Sequence, residues 1–124
     1  FIMGINIITV DDSKSIRSLV KMTLVSFGYE VFEATNGEEA LELIETIDNI
    51  SLVISDINMP IMNGLELIKS IRKANKNKFV PIIILTTETD DNLVKDCLKS
   101  GATAWLVKPF NAEQLKETIK KVLD

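Results

Sequence analysis

The chain contains no histidine. That absence removes Ser-His-Asp and Cys-His nucleophilic systems and any zinc site built on imidazole. Chemistry here must run on carboxylates, hydroxyls, lysines and a hard metal ion, and a participating phosphohistidine would have to come from another protein. Cysteine is nearly absent as well. A lone Cys97 cannot form an intrachain disulfide, which reads as a reducing, cytoplasmic setting with Cys97 as a packing residue. Basic charge is not in excess: 14 Lys and Arg stand against 18 Asp and Glu, a net charge of −4 that argues against nucleic-acid binding. No apolar run is long enough to span a bilayer and no signal peptide is visible, so no membrane partner is expected. What is present, 124 residues of which 46% are hydrophobic and 26% charged, suits one folded domain with its own core.

Four hydrophobic runs each break off at a reactive polar residue: INIITV at Asp11-Asp12, SLVIS at Asp56, PIIIL at Thr86 and AWLV at Lys108. Strands are expected over Ile5–Val10, Glu30–Ala34, Leu52–Ser55, Ile82–Leu85 and Ala104–Val107, too apolar for a sheet with one wet face. Helical spacing separates them. Ile16, Val20, Leu24 and Phe27 form a stripe that Leu19 and Thr23 widen, and Gly28 suits a left-handed turn at its end. Ala40, Ile44 and Ile47 mark a second helix, and Leu65, Ile68 and Ile71 a third. Leu93 with Cys97 and Val94 with Leu98 mark a fourth that ends at Gly101, and Leu115, Ile119 and Val122 a fifth. Asn63 and Asn111 stand where N-caps are expected. Five β-then-α units predict an α/β fold with a parallel, doubly wound sheet. In such a sheet the carboxyl ends of the strands form the ligand-binding rim, where these acids, the hydroxyl and the lysine would gather. Residues 1–4 read as an N-terminal extension or an expression remnant, with a plausible start at Met3, and residues 5–124 as the domain.

The motifs VDDS, SDINMPIMNG, PIIILTTE and GATAWLVKPF follow one another at the ends of strands one, three, four and five. On these the chain, from Ile5 to its end, resembles a response-regulator receiver domain of bacterial two-component signalling. The TTE and WLVKPF wording, Asn58 two positions after Asp56, and the lack of an output domain resemble the stand-alone chemotaxis type that binds the flagellar switch. The resemblance implies a flavodoxin-like sandwich with strand order 2-1-3-4-5, the order by which chemotaxis regulators are already known.

It also implies the chemistry. Asp56 would be the phosphoacceptor, attacking the phosphorus of a phosphohistidine or small phosphodonor. Two carboxylates about 4 Å apart repel by roughly 4 kcal/mol near a surface, and a Mg²⁺ ion, with Mn²⁺ as a substitute, relieves this. Asp12 and Asp56 would ligate it through side chains and Asn58 through its backbone carbonyl, with Asp11 acting through water. Lys108 and Thr86 would hold phosphoryl oxygens. Thr86 and Trp105 would form the switch, and Asn58, Thr87 and Glu88 would tune the phosphoryl lifetime. The Lys108–Pro109 bond would be cis, and roughly Asp90–Asp124 would carry the output surface. Expected partners are a histidine kinase, an output protein with the flagellar motor switch favoured, and a phosphatase. The chain itself is expected to be a cytoplasmic monomer that catalyses only its own phosphorylation and dephosphorylation.

Taken singly, the same residues also fit plainer roles: Asp11-Asp12 a solvated turn or helix start, Asp56 with Asn58 and Pro60 a turn, Thr86 a strand end, Lys108 a surface lysine, Trp105 packing. Rival functions remain at this stage. A flavin-bearing electron carrier fits poorly, because two carboxylates would face the flavin phosphate. An aspartyl-phosphate phosphatase would need a second acid where Asn58 stands. A phosphate-independent interaction module, a phosphorelay intermediate and a receiver excised from a larger regulator or hybrid kinase complete the set.

Overall fold

The alternation of apolar runs and amphipathic stretches folds into five β-then-α units. The computed structural model describes residues 4–87 and 91–124. Its elements are β1 (Asn6–Val10), α1 (Lys14–Ser26), β2 (Glu30–Ala34), α2 (Gly37–Thr46), β3 (Ile50–Asp56), α3 (Gly64–Ile71), β4 (Ile82–Thr86), α4 (Asp91–Lys99), β5 (Ala104–Val107) and α5 (Ala112–Leu123). All strand pairs are parallel and the sheet order is β2-β1-β3-β4-β5.

Side chains alternate across the pleat, so each central strand feeds two cores. Ile7, Leu52, Ile54, Ile83 and Leu85 pack with Val20 and Leu24 of α1 and with Leu115 and Ile119 of α5. Ile8, Val10, Val53, Ile82 and Ile84 face the other way, towards Ala40, Ile44, Leu67, Ile68, Ile71 and Cys97 of α2, α3 and α4. The two-sided burial expected of these runs holds for β1, β3 and β4. It fails at β5, where Trp105 and Val107 are half exposed. β5 is an edge strand, and among the described residues no helix covers that part of its outer face.

Helix starts follow cap chemistry. Asn63 and Asn111 cap α3 and α5 as expected, each completing a reciprocal box with Glu66 or Gln114. Two further caps escaped the sequence reading: Ser13 accepts from the Ile16 N–H and Asn36 from the Glu39 N–H. Gly28 turns the chain after α1 at φ 92°, as expected. Leu19 departs from expectation. It is 65% exposed and widens no buried stripe. It lines an open groove shared with Ile16, Val20, Pro109 and Phe110, which no other described element fills. β3 starts at Ile50, two residues early: Ile50 pairs with Asn6, the register then shifts past the polar Ser51, and the Ser51 hydroxyl accepts from the Asn6 N–H.

Candidate functional site

The pleat decides which polar strand ends meet. Asp11 follows Val10 of β1, Asp56 closes β3, and Lys108 follows β5. Strand alternation puts all three on the side that Ile7, Ile54 and Leu106 occupy, above α1 and α5. Lys108 Nζ lies 3.4 Å from Asp11 Oδ2 and 3.4 Å from Asp56 Oδ1. Asp12 joins them: Asp11, Asp12 and Asp56 can each offer an oxygen so that all three lie within 4.8 Å of one another. Lys108 is tethered by its own N–H to the Thr86 carbonyl at 2.8 Å, and the Lys108–Pro109 bond is cis, as the resemblance implied.

Each acid is held differently. Asp11 is nearly fully buried; its Oδ1 accepts from the Ser13 N–H at 2.9 Å, and its own N–H donates to the Ala34 carbonyl. Asp56 is mostly buried, its side chain 14% exposed, and its Oδ1 accepts from the Ile57 N–H at 2.9 Å. Among the described residues no side chain holds Asp12, which is exposed. Burial raises the Asp56 pKa above the ordinary aspartate value; the Asp11 carboxylate adds to this, while the Lys108 ammonium and the Ile57 N–H oppose it. Ionised Asp56 is therefore a costly state of this site until positive charge arrives.

The loop after Asp56 is pressed against it. A Cβ on Gly64 would stand 2.7 Å from the Asp56 carbonyl oxygen and 2.8 Å from Ile57 Cα, and both are backbone atoms that cannot yield cheaply. The Gly64 N–H donates to the Ile57 carbonyl at 2.8 Å, so α3 begins directly beneath the acid site. The sequence signal for Gly64 is the Asn63-Gly64 pair directly before a helical stripe. Arg17 was missed, and it donates to the Asp11 carbonyl at 2.7 Å.

The remaining expected site residues sit around this centre. Thr86 is buried at the end of β4, whose Leu85 pairs with Asp56. It lies on the opposite face of the sheet from Leu85, the face that Trp105 shares on β5. Trp105 pairs with Ile84, one pleat from Thr86, and is 49% exposed. Asn58 and Thr87 are exposed at the rim. Glu88 and Asp90 lie outside the described residues. Cys97 is buried in the α2–α4 core and burial pushes its thiol pKa up, in keeping with a packing role.

The donor set fits a hard divalent cation. Three carboxylates converge with a single lysine touching two of them, and neither nitrogen nor sulfur ligands are offered. The family described as response regulator receiver domain matches residues 7–120. The chain belongs to that family.

The similar proteins include chemotaxis regulators and the receiver of a sensor histidine kinase. The chemotaxis protein CheY1 of Helicobacter pylori is 43% identical over 118 residues, 94% of this chain and 95% of that one. A chemotaxis protein CheY homolog of Campylobacter jejuni is 42% identical, covering 94% of this chain and 91% of that one. Among solved structures, the chemotaxis response regulator CheY4 of Vibrio cholerae superposes with a TM-score of 0.91 at 45% identity, over 98% of this chain and all of the other. The receiver domain of the sensor histidine kinase PA1611 from Pseudomonas aeruginosa, described with a magnesium ion coordinated in its active-site cleft, gives 0.88 at 26% identity over 97% and 98% of the two chains. A CheY-like receiver is a phosphoacceptor signalling protein, which sets aside the flavin carrier. Among the described residues, no helix is long and apolar enough to cross a membrane.

Proposed function

We propose that this receiver takes a phosphoryl group from a histidine kinase onto Asp56, with Mg²⁺ bound by the acids, and thereby switches its α4–β5–α5 surface towards an output partner. The observation that carries this is the meeting of Asp56 with Asp11, Asp12 and Lys108 at the ends of three strands. Asp12 and Asp56 would hold the ion with the Asn58 backbone carbonyl, and Asp11 would act through water. Bound there, Mg²⁺ supplies the positive charge that lowers the cost of bringing a phosphoryl group up to ionised carboxylates.

The chain's own residues do the rest. The Ile57 N–H holds Asp56 Oδ1, which leaves Oδ2 for attack on phosphorus in line with the leaving imidazole. Lys108 shifts from its long contacts with the acids to an oxygen of the incoming group, acting as a point charge. Thr86 donates its hydroxyl to another. As Thr86 moves towards the phosphoryl group, the half-exposed Trp105 on the same face of the sheet moves into the space left behind. The phosphoryl group thus biases two packings that already exist. Asn58, Thr87 and Glu88 set how fast water removes it.

Flagellar motor control is the favoured output, supported by identities of 42–45% to chemotaxis regulators against 26–29% to the receivers of two sensor histidine kinases. That second group keeps a phosphorelay role as the alternative. Mass spectrometry after incubation with Mg²⁺ and acetyl phosphate tests the core of the reading. One phosphoryl adduct is expected on the wild type and none on Asp56→Asn. A wild type that remains unmodified, with Trp105 fluorescence unmoved by beryllofluoride, would turn the reading to a phosphate-independent module.

A further inference from the structure

Of the three acids, Asp12 alone has no side chain to hold it among the described residues, so its position depends on its backbone. That backbone is held from one direction by Arg17. The Arg17 guanidinium donates through one terminal nitrogen to the Asp11 carbonyl at 2.7 Å, the oxygen of the peptide that joins Asp11 to Asp12. Its Nε donates to Glu33 Oε1 at 3.3 Å, and Lys21, one turn further along α1, holds the other Glu33 oxygen at 3.1 Å. The Arg17 side chain is only 12% exposed, so this fork is fixed rather than solvated. A β2 carboxylate thus aims an α1 guanidinium at the peptide between the first two acids.

We propose that Arg17 is a positioning residue: it fixes the Asp11–Asp12 peptide and so presents the Asp12 carboxylate to the divalent cation. The inference rests on the reading that the acids bind Mg²⁺. It differs from a charge effect in sign. Removing a cation close to three acids should by itself strengthen binding of a divalent cation, since the local field becomes more negative. Loss of positioning should weaken it, because Asp12 must then be ordered at the moment of binding.

Calorimetric titration of Mg²⁺ into the unphosphorylated protein separates the two. Arg17→Met, close in length and without donors, should bind Mg²⁺ about tenfold more weakly than the wild type. Arg17→Lys keeps the charge and can reach one partner but not both, and should fall between them. Urea unfolding of each variant gives the folded fraction to which affinity is normalised, so a merely structural loss would leave the corrected affinity unchanged. Affinity in Arg17→Met equal to or tighter than the wild type overturns the inference while leaving the receiver reading intact. A wild type that binds no Mg²⁺ overturns both.

Discussion

Two partly buried cations anchor opposite ends of this molecule, and they are treated in opposite ways. At the end of the sheet away from the acids, Arg72 donates twice to the Gly101 carbonyl, at 2.6 and 3.2 Å, and to the carbonyls of Lys78 and Val80 at 2.8 and 2.7 Å. Every partner is a neutral backbone oxygen, fixed by the chain on either side. Beside it Asn77 turns the chain at φ 60°, donates to the Ile44 and Ile47 carbonyls, and accepts from the Ile50 N–H. At the other end Lys108 touches two carboxylates, both at 3.4 Å, beyond good hydrogen-bond length. The structural cation is saturated by short bonds. Lys108 is left with loose contacts and a surplus of negative charge, an arrangement that is poor for stability and open to a ligand that brings positive charge and new acceptors.

Swapping out each cation sharpens the contrast. Lys108→Met should slow phosphorylation of Asp56 by acetyl phosphate about a hundredfold, because a fixed charge at the transferring group is lost. Its urea stability should move by less than about 1 kcal/mol, since its ion pairs are long and Asp56 can take up a proton instead. Arg72→Met should do the reverse. The Val80 and Gly101 carbonyls, both shielded in part from water, lose their donor, and the loss expected is about 2 kcal/mol, with Mg²⁺ affinity per folded molecule unchanged. If Arg72→Met damaged Mg²⁺ binding while Lys108→Met unfolded the protein, the division between the two ends would be wrong.

The smallest effect concerns Asp56 itself. Burial, with Asp11 adding to it, raises its folded pKa, so the folded protein binds this proton more tightly than the unfolded chain does. Without metal, the group therefore contributes stability as pH falls through its raised folded value towards the ordinary aspartate value, and loses it as pH rises. Glu33, Glu39 and Asp48 act in the opposite direction, because hydrogen bonds with Lys21, Thr35 and Lys76 lower their folded pKa values. Their stabilisation is present at neutral pH and fades in acid. Comparing wild type with Asp56→Asn cancels those three. The variant should be more stable by about 1–2 kcal/mol at pH 7, and the gap should close towards pH 4 in urea titrations. A gap that stays constant with pH would mean that Asp56 pays no desolvation cost.

How much of this was legible depended on whether a signal was periodic or pointwise. β2 and β5 were placed to the residue, and β1 and β4 to within one; for β1, β4 and β5 the reason is that apolar runs with sharp polar ends have few alternatives. The convergence of Asp11, Asp12, Asp56 and Lys108 was legible for the same reason: each ends an apolar run, and parallel sheets bring such ends to one rim. Leu19 misled because its helical spacing matched the core while its flank opened onto a groove. Trp105 and Val107 sit in a run as apolar as the others, and only their place at the sheet edge exposes them. Ser13, Asn36 and Arg17 were invisible in role, since each acts through contacts whose partners are chosen by the packed chain.

The sequence by itself determined the order of the elements, the two faces of β1, β3 and β4, and the chemical inventory of the site. These follow from local spacing and from residue type, which no packing can change. Tertiary structure alone decided the distances: that Lys108 contacts Asp11 and Asp56 equally, that α3 starts against the Asp56 backbone, and that Arg17 reaches the Asp11 carbonyl. Lys108 and Asp11 lie 97 residues apart. Such contacts depend on register and on the twist that closes five strands onto one rim, quantities that belong to the whole sheet and to none of its segments.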